Sequence, residues 1–140
     1  MLKLKAYLAT ELPHINKTLD AEVAVLHPLV RPVAEHVLRA GGKRLRPLLT
    51  LLTARTLRTG GAQGGGLFRK SSGPDLYPLA CSVELLHSAT LLHDDILDGA
   101  DLRRGLPAAH TVFGQTETVL AGDALLALAN RIVARYGDAR

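Results

Sequence analysis

A chain of 140 residues with 47% hydrophobic content and a formal net charge of +4 is long enough for one globular core and too apolar to be disordered by composition. The aromatic share is only 4%, without tryptophan, so Leu, Ala and Val must build the core, which favours an all-α fold. No apolar run approaches the ~18 residues of a membrane span, and a modest positive charge without a recognition-helix pattern predicts no nucleic-acid partner.

In chain order, Leu4, Leu8, Leu12, Ile15, Leu19 and Val23 recur at spacings of three and four, which predicts an amphipathic helix over residues 2–23. Pro13 predicts a break or kink inside it. A second helix is expected over 28–39, stopped by Gly41-Gly42, and a third over 45–57 with Pro47 in its first turn. Residues 60–75, GGAQGGGLFRKSSGPD, read as a flexible surface loop. A fourth helix is expected from Asp75 or Pro78 to Asp98 and a fifth from Gly114 to Tyr136, joined by a polar loop containing Gly105 and Pro107. No strand pattern and no internal repeat is found, so about five helices are expected to pack as an antiparallel bundle. Cys81 is the single cysteine, and no charged segment followed by an apolar one opens the chain; the expected setting is the reducing cytoplasm.

The fourth helix ends in LLHDDILDGADLRRG, residues 91–105. At roughly 100° per residue, Asp98 lies about 40° and Asp95 about 100° from Asp94, and His87 lies about 20° away two turns earlier. Three carboxylates in one sector repel one another, and a helix C-terminus further disfavours negative charge, so a cation is expected nearby. Two readings stand. The cluster is a solvated helix end balanced by Arg103 and Arg104, or it holds a hard divalent ion such as Mg²⁺, which is often bound by one or two carboxylates plus substrate phosphates.

GGKRLRP, residues 41–47, is the basic counterpart. Lys43, Arg44 and Arg46 follow a glycine pair at the mouth of a helix, where backbone N–H groups already favour an anion. A point-charge lysine beside fork-shaped arginines suits phosphate oxygens, although the same pattern also describes a solvated helix start. One carboxylate cluster of metal-binding type and two basic clusters of phosphate-binding type make diphosphate chemistry the economical explanation.

In order, GGKRLRP, VELLHSATLLHDDILD, DLRRGLPAAH and VLAGDALLALA resemble the trans-isoprenyl diphosphate synthases, or polyprenyl synthetases. The resemblance covers the chain from about residue 25 onward, and DDxxD followed by LRRG is specific in combination. It implies helices around a deep cavity, usually in homodimers, and a head-to-tail 1′-4 condensation of isopentenyl diphosphate with an allylic diphosphate, using Mg²⁺. Asp94, Asp95 and Asp98 then form the first aspartate-rich motif, with the first and last as the main metal ligands. Lys43, Arg46, His87 and Arg104 match isopentenyl diphosphate contacts, and Arg103 matches an allylic diphosphate contact. His93 and Asp123 are left as structural. Ala89 and Thr90, with Leu86 beside them, occupy positions where bulky aromatics floor the product tunnel in short-chain members, so a long-chain product is expected. The resemblance also implies a longer chain and a second aspartate-rich motif, which nothing after Asp98 supplies. Residues 1–140 are therefore expected to be the N-terminal portion of such a domain, self-associating or joined by a partner subunit that supplies the second motif. Two competing readings are a noncatalytic, diphosphate-binding subunit and a metal phosphohydrolase using His93-Asp94. His14, His27, His36 and His110 lack the ligand spacing the latter needs.

Overall fold

In a computed structural model, the described residues are 2–40, 42–59 and 74–137, with side chains described over 6–40, 42–57 and 74–136. They form six helices, α1 Leu2–Val23, α2 Arg31–Arg39, α3 Leu45–Thr59, α4 Tyr77–Leu97, α5 Ala109–Phe113 and α6 Gln115–Gly137, with strands β1 Leu102–Arg103 and β2 Leu106–Pro107 between α4 and α5. The fold is all-α, as composition and periodicity predict. Most of the expected flexible loop lies outside the described residues, as does Gly41.

α4 runs through the middle, packed along α6 on one side and against α1 and α3 on others. Ala80, Cys81, Leu85, Ala89 and Leu92 of α4 meet Ala121, Leu125, Leu128 and Ile132 of α6, all at most 3% exposed. Small side chains on both helices allow this close approach, so alanine fills here what larger side chains would otherwise fill. Ile15, Leu19 and Val23 close the core from α1, and Leu48 and Leu51 from α3.

Four expectations need correction. The first helix continues through Pro13, which is exposed, rather than breaking there. The second helix begins at Arg31, because residues 28–30 form a turn in which Val30 and Arg31 N–H groups both donate to the His27 carbonyl. The fifth predicted helix starts after a separate short helix, α5, and Gly114 at φ 95 divides the two. The polar loop holds a minimal antiparallel hairpin, Leu102 opposite Pro107 and Arg103 opposite Leu106. Its turn, Arg104-Gly105 at φ 52 and 81, has the two positive φ values of a type I′ turn. Strands of two residues are too short to show alternation.

α4 stops where the sequence predicts, and Gly99 is the cause. At φ 61 it turns the chain out of the helix, its N–H donating to the Ile96 carbonyl at 3.2 Å and that of Ala100 to the Asp95 carbonyl at 3.0 Å. The chain then enters the hairpin, which His36 of α2 clamps by donating from Nε2 to the Pro107 carbonyl at 2.9 Å. No helix among the described residues is long and apolar enough to cross a membrane.

Candidate functional site

The three aspartates at the end of α4 do not share one environment. Asp95 is 3% exposed, while Asp94 and Asp98 face solvent without a hydrogen bond or close ion pair to a described side chain. Arg103 reaches back from β1 and grips Asp95, its Nε 2.8 Å from Oδ1 and 2.7 Å from Oδ2, with Nη2 adding a further bond to Oδ1. Hydrogen bonding to Asp95 raises the Arg103 guanidinium above its ordinary value despite partial burial, and the carboxylates of Asp95, Asp94 and Asp98 act the same way. Arg103 therefore lies within electrostatic reach of all three.

The other side of α4 is fixed by α6. His93 Nε2 lies 3.2 Å from the Val119 carbonyl and 3.6 Å from Asp123 Oδ1. A Cβ on Gly122 would stand 2.3 Å from that same Nε2, so the imidazole packs where only glycine leaves room. His93 and Asp123 thus brace α4 against α6.

At the opening of α3, Lys43, Arg46 and Arg104 line an open cleft of about 520 Å³ together with Gly42, Arg44 and Glu84. Lys43, Arg46 and Arg104 are exposed, and none has a carboxylate within 4.0 Å among the described residues. The Arg104 guanidinium lies over Gly42, where a Cβ would approach Nη1 to 3.1 Å. His87 stands on α4 near this group: burial lowers its imidazole below the ordinary value, and Arg46, Arg104 and Arg103 push it the same way against the opposing charge of Glu84.

Adjacent hairpin arginines thus face different clusters, Arg103 the aspartates and Arg104 the cationic cleft. Of the positions expected to set product length, Ala89 is 2% exposed within the core, whereas Thr90 is exposed and folds its hydroxyl onto the His87 carbonyl at 2.8 Å. Leu86 is 44% exposed.

Sequence reasoning names Arg44 within the basic run without giving it a role of its own, and it passes over Glu84. Arg44 looks like one more cation in a basic run. Glu84 carried a signal, since it is the only carboxylate between Leu76 and His93 in an otherwise apolar or neutral helix.

All-oxygen, exposed Asp94 and Asp98, one helical turn apart, suit a hard cation that keeps part of its shell for water and phosphate. Among the described residues no group of three or more His, Cys, Asp or Glu side chains is arranged to hold a metal ion.

Residues 27–140 match the family model described as Polyprenyl synthetase. Similar proteins include the geranylfarnesyl diphosphate synthase of Aeropyrum pernix, 48% identical over 99 residues, covering 71% of this chain and 28% of that one. The chloroplastic geranylgeranyl pyrophosphate synthase 9 of Arabidopsis thaliana is 41% identical over 128 residues, covering 89% and 32%. Among solved structures, a polyprenyl synthase from Caulobacter crescentus, in complex with calcium and isoprenyl diphosphate, superposes with a TM-score of 0.77 at 33% identity, covering 96% of this chain and 38% of that one. The chain belongs to the polyprenyl synthetase family. It spans about a third of the length of the curated relatives it matches.

Proposed function

We propose that residues 1–140 supply the N-terminal portion of a prenyltransferase that condenses isopentenyl diphosphate with an allylic diphosphate, 1′-4 and trans, to a polyprenyl diphosphate. The observation that carries this reading is the hairpin junction: Arg103 joins an acidic helix end where Asp94 and Asp98 have no ion pair among the described residues, and Arg104 joins the cleft where Lys43 and Arg46 likewise have none. Lys43, Arg46 and Arg104 would hold the isopentenyl diphosphate by charge-assisted hydrogen bonds, with His87 donating once protonated. Asp94 and Asp98 would hold Mg²⁺, with Asp95 supporting them through Arg103, which also faces the allylic diphosphate. Bound Mg²⁺ would neutralise charge developing on the departing diphosphate. In the condensation the allylic C–O bond breaks with its electron pair leaving on diphosphate, the homoallylic double bond forms the new C–C bond, and a proton is lost.

Leu86 and Thr90, exposed and not aromatic, support a tunnel open to long products although Ala89 packs in the core, while the similar synthases named above carry geranylfarnesyl and geranylgeranyl names. Exposed Val119, Leu126 and Val133 on α6 support self-association or a partner subunit, which would also supply further metal ligands. The cytoplasm is the setting we infer: the chain's single cysteine, Cys81, is a buried free thiol, as suits a reducing compartment.

A diphosphate-binding subunit without turnover is the second reading, in which the cationic cleft and the exposed Asp94 and Asp98 would hold diphosphate without condensation. Both are tested by incubating the chain with isopentenyl diphosphate, an allylic diphosphate and Mg²⁺. Diphosphate release supports catalysis, and Mg²⁺-dependent binding without release supports the subunit reading. Lys43→Ala should weaken isopentenyl diphosphate binding at least about tenfold by calorimetry; unchanged affinity would remove the cleft from both readings.

A further inference from the structure

Arg44 and Arg104 are the two described residues other than glycine with positive φ. Arg104 owes its conformation to the hairpin turn. Arg44, at φ 50, opens α3: its carbonyl accepts the first bond of the helix, from the Leu48 N–H at 3.1 Å. A left-handed conformation is strained for an L-residue, so it persists where the surroundings over-determine it.

The side chain supplies that determination. Nη2 donates to the Leu38 carbonyl near the end of α2 at 2.7 Å, Nε to Asn16 Oδ1 on α1 at 3.2 Å, and Nη1 to Glu84 Oε1 on α4 at 3.2 Å. All three guanidinium nitrogens are engaged, on three different helices. The Arg44 and Glu84 side chains are 12% and 7% exposed, so the ion pair is largely shielded from solvent. Glu84 Oε2 is buried with no hydrogen-bond partner, which leaves that carboxylate dependent on Arg44. Lys43 precedes this anchored turn and Arg46 follows it, and both reach the cleft that Glu84 lines.

We propose that Arg44 is a positioning residue: pinned by Leu38, Asn16 and Glu84, it holds the left-handed turn that presents Lys43 and Arg46 to the isopentenyl diphosphate cleft. The proposal rests on the cleft reading given above. Arg44 acts through its neighbours, because its own nitrogens are committed. Lysine cannot replace it, since one ammonium on a flexible stem cannot span three acceptors in a plane.

The test is isopentenyl diphosphate affinity by calorimetry in Arg44→Lys and Asn16→Ala. Arg44→Lys, which keeps the charge, should weaken binding about tenfold, and Asn16→Ala, which alters an exposed residue on another helix, about threefold. Allylic diphosphate affinity with Mg²⁺, read at the aspartate end, should stay within about twofold of the parent chain. Parent-like isopentenyl diphosphate affinity in both variants overturns the proposal, and so does equal loss at both ends, which would mark a general loss of structure. Lys43→Ala in parallel separates the two levels. If Lys43→Ala weakens binding and the other two do not, positioning alone fails; if Lys43→Ala binds like the parent, the cleft reading fails and the proposal with it.

Discussion

The acidic end of α4 and the basic opening of α3 solve the same problem from opposite sides of zero charge. In each, a run of like charges has a middle member largely shielded and paired with an opposite charge, while its flanking members are exposed and have no ion pair among the described residues. Asp95 is held by Arg103 between Asp94 and Asp98; Arg44 is held by Glu84 between Lys43 and Arg46. The difference is range. Asp95 finds its partner eight residues away, across one turn of chain, whereas Glu84 lies 40 residues from Arg44. Local closure makes the acidic end a property of the α4 hairpin, and the basic end forms only when α1, α2 and α4 have packed.

That contrast is open to attack from both ends. The largest effect is expected from Arg103→Ala, which strands a carboxylate only 4% exposed and should lower unfolding free energy by about 3 kcal/mol in a denaturant titration. A loss below about 0.5 kcal/mol, the range of an ordinary surface change, would mean the pair is not the anchor of the acidic end. Next comes Gly122→Ala. Its methyl must displace His93, so despite the better helix propensity of alanine a net destabilisation of about 1–2 kcal/mol is expected. A stabilised variant would show that α6 does not brace the aspartates.

The smallest effect concerns pH. Burial, then Arg46, Arg104 and Arg103, hold His87 protonation below its ordinary value in the folded chain, with Glu84 opposing. The unfolded chain then binds more protons near pH 6.5, so stability should fall as pH drops through that value and level off below the lowered folded value. Diphosphate in the cleft reverses the local charge, so isopentenyl diphosphate affinity should rise over the same descent. His87→Gln should flatten both slopes, and slopes that survive it would assign them to other groups.

Much of the site could be read without coordinates. The carboxylates, the basic run and the arginine pair stand out as charges at apolar helix ends, and Asp94, Asp98, Lys43, Arg46 and Arg104 are the ones left exposed. That Arg103 would balance the acidic end was one of the two readings, but its choice of Asp95 was not legible, because helical projection gives directions around one axis and says nothing of a hairpin folding back. Arg44, named with Lys43 and Arg46, was not set apart from them for a related reason: three like charges within four residues cannot be ranked until something buries one of them. The hairpin itself was missed because two-residue strands carry no period, although Arg104-Gly105 supplied a turn that accepts positive φ.

The sequence alone determined α1 to α4 and α6 through apolar spacing, and it determined which charges gather at which helix ends, since both are written within a few residues. Tertiary structure decided which member of each charged run turns inward. Burial of an ion is tolerated only where a partner with matching donors or acceptors is brought alongside. Glu84, Asn16 and the Leu38 carbonyl reach Arg44 only when separate helices pack, and no local stretch of the chain encodes that meeting.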